Sequence, residues 1–232
     1  VNIFNSKYPD VSLNNLVNHL MNINIVKSSK FINKKVSRYN HISNTIEFNT
    51  EQIEEGYDMK HIMMYELLNV ITNNGAMTGF NQNDQFRALN AGYTEILAND
   101  LVGNDSDVTN LESEVISTNM LAMTIGPDVM FNAYFNNDAS TLTQTMVEKG
   151  IDVEEINKAM NYGYDNPEYR NKVNPDELIV ESASKSVIDT KTFEDMALYA
   201  SMSQDKKAYQ MCLENIKNAK NMENGIDRVA TK

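Results

Sequence analysis

The chain has 232 residues, 41% of them hydrophobic, and a formal net charge of −12 from 20 basic and 32 acidic side chains. A chain of this length buries enough apolar surface to fold without a stabilising metal or disulfide. The acidic balance argues against nucleic acid or an anionic membrane as a partner, because both need a basic surface. The single cysteine, Cys212, excludes an internal disulfide and a thiolate zinc cluster.

The first fifty residues predict a helix followed by a small antiparallel sheet. Apolar residues at helical spacing predict a helix over residues 11–25. Two short runs rich in β-branched and aromatic residues predict strands at residues 36–39 and 45–48, with Ser43 and Asn44 in the turn between them.

The rest of the chain predicts helices. One of them, apolar on nearly every side, begins at Asp58 and ends at Asn74 and Gly75, and this pattern is typical of a helix in the middle of a domain. Further helices are predicted at residues 84–101, 108–125, 128–136, 140–148, 153–162, 176–188 and 192–221. We therefore predict an α+β fold, with an α+β subdomain at residues 1–80 and a mainly helical subdomain at residues 81–232 that together form one continuous domain. No apolar run approaches the roughly eighteen residues of a membrane-spanning helix.

Two short segments carry the functional prediction. The central helix contains YELLN at residues 65–69, and NAGYTE follows at residues 90–95. With this spacing and the preceding strand TIEFN, they resemble the gluzincin-type zinc metallopeptidases. In that family H-E-x-x-H on one helix supplies two zinc ligands and a Glu that activates the metal-bound water. A later N-E-x-x-[ST]-[DE] segment supplies the third ligand and an acidic residue that orients a ligand His.

All three metal positions of that family are changed in this chain. Tyr65 and Asn69 stand at the two His positions and Ala91 at the third ligand, whereas Glu66 keeps the base position and Glu95 the last acidic position. A phenol and a carboxamide are poor zinc ligands, and a methyl group cannot coordinate a metal. We therefore expect a zincin-like fold without zinc or another cofactor, and a catalytically inactive protein.

The resemblance also implies a cleft that binds a peptide or a protein, lined by vestigial site residues: Tyr65, Glu66, Asn69, Ala91 and Glu95. It implies further that the strand TIEFN lies at the edge of the sheet, where a partner can add as an extra strand. We expect the Tyr65 hydroxyl to donate a hydrogen bond to Glu95 in place of the family's His–carboxylate bond.

Two alternatives stay open. In the first alternative the chain is an active hydrolase. It would act either through a displaced metal site of His61, Glu66 and Glu95 or through metal-free acid/base chemistry of Glu66 and Glu95. In the second alternative the chain is a purely structural domain of a larger envelope or surface protein. Because the chain begins at Val1 rather than at a methionine, we expect that an upstream segment has been removed, and a secreted or cell-surface location is favoured over the cytoplasm.

Overall fold

A three-stranded mixed sheet near the start of the chain is followed by a long series of helices. The structure, a computed structural model, describes residues 2–29, 35–53, 58–103, 111–172, 174–186 and 189–230. The strands are β1 (Asn24–Ser28), β2 (Ser37–Asn40) and β3 (Thr45–Asn49). The α-helices are α1 (Asn2–Lys7), α2 (Asn14–Leu20), α3 (Met59–Ile71), α4 (Arg87–Val102), α5 (Glu112–Ile125), α6 (Pro127–Phe135), α7 (Ala139–Glu148), α8 (Val153–Asp165), α9 (Pro175–Lys185), α10 (Thr190–Met202) and α11 (Lys206–Ala230), and a 3₁₀ helix covers Pro167–Lys172. The predicted α+β class with a mainly helical C-terminal part is confirmed.

The chain divides into two compact units. The first comprises Val1–Val115 and Phe131–Leu142 and contains the sheet, and the second comprises Ile116–Met130 and Thr143–Lys232 and is helical. The boundary that we predicted between residues 80 and 81 falls inside the first unit, because α4 packs against α3.

The order of strands in the sheet is β1–β3–β2. β2 and β3 form an antiparallel hairpin in which Ser37 lies opposite Phe48. β1 joins the other side of β3 in parallel, with Asn24 beside Thr45. The sheet is therefore mixed rather than antiparallel as predicted. β3 is its central strand, so the prediction that TIEFN lies at the edge was wrong.

The helix predicted over residues 11–25 is shorter than its apolar pattern, and β1 takes its last two residues. The Asn44 side chain donates a hydrogen bond to the His19 carbonyl over 2.8 Å, and the Asn24 N–H donates to the Asn44 carbonyl over 3.0 Å. These bonds fix the end of α2 and the start of β1 against the β2–β3 turn. The chain therefore continues from Ile25 as an extended strand, a conformation that β-branched residues favour.

Helix α3 has a strong N-terminal cap. The Asp58 carboxylate accepts hydrogen bonds from the backbone N–H groups of Lys60, over 2.9 Å, and of His61, over 3.4 Å. Such a cap satisfies backbone donors that have no partner within the helix. The helix that we predicted from Asp58 is thus confirmed, although it ends at Ile71 rather than at Asn74 and Gly75, and it contains the residues of the YELLN segment.

Two later helices differ from their predictions for local reasons. α4 begins at Arg87 rather than at Asp84, because Asn83 and Asp84 have φ angles of +51° and +60°, which an α-helix excludes. The helix predicted over residues 192–221 is two helices, α10 and α11. Gln204 has a φ angle of +58°, and the Asp205 carboxylate then caps α11. Residues 108–110, 187 and 188, which we predicted to be helical, lie outside the described residues.

The second unit contains a buried polar pair next to the only cysteine. The Ser117 hydroxyl donates to the Asp176 carboxylate over 2.5 Å, and both residues are buried. Burial, together with the nearby charges of Asp176 and Asp205, raises the pKa of the Cys212 thiol to about 11. Cys212 is therefore a protonated core residue at neutral pH.

Within the described ranges, no helix combines the length and the apolar character that crossing a bilayer requires.

An aromatic cluster in the first unit positions the N-A-G-Y-T-E segment of α4. The Tyr134 ring packs against Phe80 and Tyr93, with ring centroids 5.7 Å and 5.2 Å apart, and its hydroxyl lies 2.8 Å from the Thr94 hydroxyl. Gly79 fits beside this ring only because it has no side chain. A Cβ atom there would lie 2.1 Å from Asn90 Oδ1 and 2.6 Å from a Tyr134 ring carbon.

We predict that Gly79→Ala destabilises the first unit by about 3 kcal/mol, because it combines a steric clash with a left-handed backbone, φ +54°. Gly75→Ala is the matched control, since Gly75 also has a positive φ angle but a Cβ atom there would have nothing within 4 Å. Urea unfolding of the two variants measures the difference. Equal losses of stability would contradict the predicted clash.

Candidate functional site

Helix α3 carries the residues of the predicted site on two adjacent faces. His61, Tyr65 and Asn69 follow one another at four-residue spacing and therefore share one face of the helix. Glu66 lies next to this face and is fully buried, whereas Tyr65 and Asn69 are half-buried. Ala91 and Glu95 are buried on α4, which packs against α3.

Glu66 is held on both of its carboxylate oxygens. The Ser37 hydroxyl of β2 donates to Oε1 over 2.5 Å, and the Asn69 side-chain amide donates to Oε2 over 3.2 Å. The backbone N–H of Tyr39, also in β2, is a third donor to this carboxyl group. Glu66 thus links the first residues of β2 to the middle of α3.

Burial raises the pKa of Glu66 to about 7. The hydrogen bonds from Ser37, Asn69 and the Tyr39 backbone, together with the positive charge of Lys35, act in the opposite direction but do not cancel the effect of burial. Near neutral pH the carboxyl group is therefore divided between its protonated and ionised forms.

Glu95 forms a second buried polar link, this time between α3 and α4. Its Oε1 lies 2.9 Å from His61 Nε2, and both side chains are fully shielded from solvent. The two side chains are hydrogen-bonded to each other through these atoms. We expected Tyr65 to bond to Glu95. The residue of α3 that bonds to Oε1 is instead His61, one helical turn before Tyr65. Glu95 Oε2 has no hydrogen-bond partner among the described residues.

The other polar residues of the NAGYTE segment support the backbone around them. Asn90 Oδ1 accepts a hydrogen bond from the Phe80 N–H over 3.1 Å. The Thr94 hydroxyl lies 2.7 Å from the Asn90 carbonyl, to which it donates, and is also bonded to Tyr134. Ala91 offers no polar atom. This part of α4 therefore anchors a loop and an aromatic ring.

A further polar network beneath the sheet was not predicted. Asn73, just after α3, donates to the Tyr39 hydroxyl over 2.8 Å and lies 3.3 Å from His19 Nε2. The Tyr39 hydroxyl in turn donates to Asn44 over 2.8 Å. Ser37 and Tyr39 occupy alternate positions of β2, so both face α3. That alternation was visible in the sequence, but their partners were not.

The donor atoms at this site do not fit a zinc ion. Of the three positions that hold zinc in the family, Ala91 has no donor atom, and Tyr65 and Asn69 offer only a phenol and a carboxamide. The displaced set of His61, Glu66 and Glu95 does not converge on one point either. His61 pairs with Glu95, whereas Glu66 bonds to Ser37 in β2. Nowhere in the described ranges do three or more His, Cys, Asp or Glu side chains form a group that could hold a metal.

Comparison of the chain with protein-family models, with curated proteins and with solved structures finds no match. The likeness to the gluzincins therefore rests on the motif residues alone and stays a prediction.

We predict that the folded protein loses stability as the pH rises from about 4.5 to about 7, because over this range Glu66 ionises in the unfolded chain while it stays largely protonated in the folded protein. Its pKa in the folded state is above the ordinary value of 4.5, so folding favours the protonated form, and the stability is fully present below pH 4.5. The full shift corresponds to about 3 kcal/mol. Glu66→Gln cannot ionise and should remove this part of the pH dependence.

Urea unfolding of the wild type and of Glu66→Gln at pH 4 to 8 measures the difference between their pH curves. Glu214→Gln, which removes an exposed carboxylate on α11, is the control and should follow the wild-type curve. A Glu66→Gln curve parallel to that of the wild type would refute the buried, shifted titration.

We predict that His61→Leu costs about 3 kcal/mol or more, because it leaves the fully buried Glu95 side chain without its hydrogen-bond partner. Combining His61→Leu with Glu95→Leu should recover much of this loss, since both members of the pair are then apolar. Thermal and urea unfolding of the single and double variants provide the measurement. A double variant as unstable as the sum of the two single variants would show that the pair is not coupled.

Proposed function

We propose that this protein is a catalytically inactive, metallopeptidase-like binding module. The observation that carries the proposal is the position of Glu66, the base residue of the resembled family. Its side chain has no solvent exposure, and both of its oxygens accept hydrogen bonds from within the first unit. A general base must reach the proton that it removes, directly or through one water molecule. The Glu66 carboxylate is instead used to hold β2 on α3.

Metal-free acid/base chemistry by Glu66 and Glu95 is disfavoured for the same reason. Glu95 is also fully buried, and its bonded oxygen faces the His61 imidazole rather than Glu66. Paired carboxylates in hydrolases share one substrate-binding space, with the reacting bond between them. Here each carboxylate has a different protein partner on a different side of α3.

Binding rather than a purely structural role is supported by exposed apolar side chains in the first unit. Met21, just after α2, and Ile42, in the β2–β3 turn, are each 86% exposed. The hydrogen bonds that Asn44 makes with His19 and Asn24 hold these two segments together. We therefore propose that these two linked segments form part of a surface that contacts a partner.

We predict that the purified protein cleaves neither casein nor a mixed peptide library, with or without added Zn²⁺, and that elemental analysis finds no stoichiometric zinc. The reason is that the base is buried and the ligand positions lack zinc donors. Glu66→Gln should leave the background rate unchanged. Cleavage that disappears in Glu66→Gln would overturn the proposal, and its response to a chelator would separate metal-dependent from metal-free chemistry.

The resemblance itself has a constructive test. In a chain that descends from a zinc peptidase, the combined change Tyr65→His, Asn69→His and Ala91→Glu should create a site that binds Zn²⁺, measured by calorimetry. A matched variant with only the first two changes lacks the third ligand and should bind more weakly. A folded triple variant that binds no zinc would contradict the gluzincin ancestry.

A further inference from the structure

Among the described residues, nothing pairs with the outer edge of β1, which presents a row of backbone hydrogen-bonding groups. The Asn24 N–H donates to the Asn44 carbonyl, and the Ser28 carbonyl accepts from the Thr50 N–H, over 3.0 Å and 3.1 Å. In a parallel pair alternate residues bond to the neighbouring strand. The N–H and C=O groups of Ile25 and Lys27 therefore point away from β3. Within the described ranges, β3 is the only strand that pairs with β1.

The side chains of Ile25 and Lys27 lie on the same face of the sheet as the buried Ile46 and Phe48, but they are exposed. Lys27 lies beside Phe48 in the register, and Phe48 lies opposite Ser37, whose hydroxyl reaches α3. Ile25 lies beside Ile46, which is completely buried, yet Ile25 itself is 56% exposed. A strand added at this edge would place alternate side chains directly beside these two residues.

The charge of the surrounding sequence is opposite to that of the chain as a whole. Residues 11–46 contain five of the 20 lysines and arginines and none of the 32 acidic residues. Lys27 is exposed, and no described acidic side chain forms an ion pair with it. The edge strand therefore combines one apolar and one basic position on the same face, two residues apart.

We propose that β1 binds an extended acidic peptide segment of a partner protein as a fourth strand, with an apolar residue beside Ile25 and a Glu or Asp beside Lys27. The backbone groups of Ile25 and Lys27 provide the pairing, and their side chains provide the specificity. This inference deepens the binding role proposed above and rests on it.

The added strand could come from a second copy of this chain or from an acidic partner, and the basic character of residues 11–46 favours the acidic partner. A second copy of the chain would bring Lys27 and its basic neighbourhood to the same edge, and like charges across a strand pair are destabilising. An acidic strand gains from the same charges. Because the open groups are a linear array of backbone donors and acceptors, they match an extended peptide in both spacing and chemistry.

Fluorescence polarisation with two labelled peptides tests the proposal on the full chain. The probe alternates threonine with valine and glutamate (Thr-Val-Thr-Glu-Thr-Val-Thr-Glu), and its twin has lysine in place of each glutamate. We expect the glutamate peptide to bind about tenfold more tightly than the lysine peptide, from the change of a favourable to an unfavourable charge pair. Binding should also slow the hydrogen exchange of the Ile25 and Lys27 amides.

Three variants distinguish strand pairing from general charge attraction. Ile25→Pro removes an outward N–H without breaking a bond to β3 and should abolish binding. Lys27→Glu should reverse the preference between the two peptides. Lys158→Glu, an equal change of charge at an exposed position of α8, should leave the preference unchanged. Circular dichroism confirms that each variant is folded.

Several results would overturn the inference. These are no binding of the glutamate peptide at millimolar concentration, equal binding of both peptides, and equal effects of Lys27→Glu and Lys158→Glu. A wild-type dimer that Ile25→Pro converts to a monomer would assign the edge to a second copy instead. Cleavage of the bound peptide, detected by chromatography, would refute the inactive function proposed above but leave the strand pairing intact.

Discussion

The hydrogen bonds to the buried Glu66 carboxyl group determine how the sheet sits on the central helix of the first unit. Ser37 and the Tyr39 backbone donate from β2, and Asn69 donates from the next turn of α3. Without these donors, the burial of an ionisable group would be strongly unfavourable. β3 is placed by its pairing with β2, and β1 by its pairing with β3. β2 is thus joined to α3 through this carboxyl group, in addition to the Asn73–Tyr39 hydrogen bond, and the other two strands are positioned through β2.

The two acidic residues of the predicted site both serve as structural links in the first unit. In the resembled family these positions serve a metal. Here Glu66 joins a strand to a helix, and Glu95 joins two helices through His61. A carboxylate in a core needs donors from the surrounding protein, and once it has them its removal leaves those donors without a partner. Such a residue is therefore needed for folding, whether or not it also takes part in a reaction.

The parts of the fold that were predictable are those that depend on local sequence. The apolar periodicity and the Asp58 cap indicated α3, and the β-branched run indicated β3, because both signals lie within the element itself. The break between α10 and α11 also had a local signal, the capping residue Asp205, which the continuous apolar pattern outweighed. β1 was missed because it exists through bonds to Asn44, twenty residues further along the chain. The Ser37–Glu66 contact depends on the register of the sheet against α3, which no local pattern specifies.

The parallel attachment of β1 also has a consequence for the order in which the sheet assembles. β2 and β3 are joined by a short turn, so the hairpin closes early and at a small entropic cost. β1 is further from β3 along the chain, so we expect it to join the hairpin later, and it leaves four of its five side chains exposed. A strand that joins late with so little buried surface is also the first to open. When β1 opens, β3 becomes an edge strand. Any other extended segment can then compete with β1 for pairing with β3.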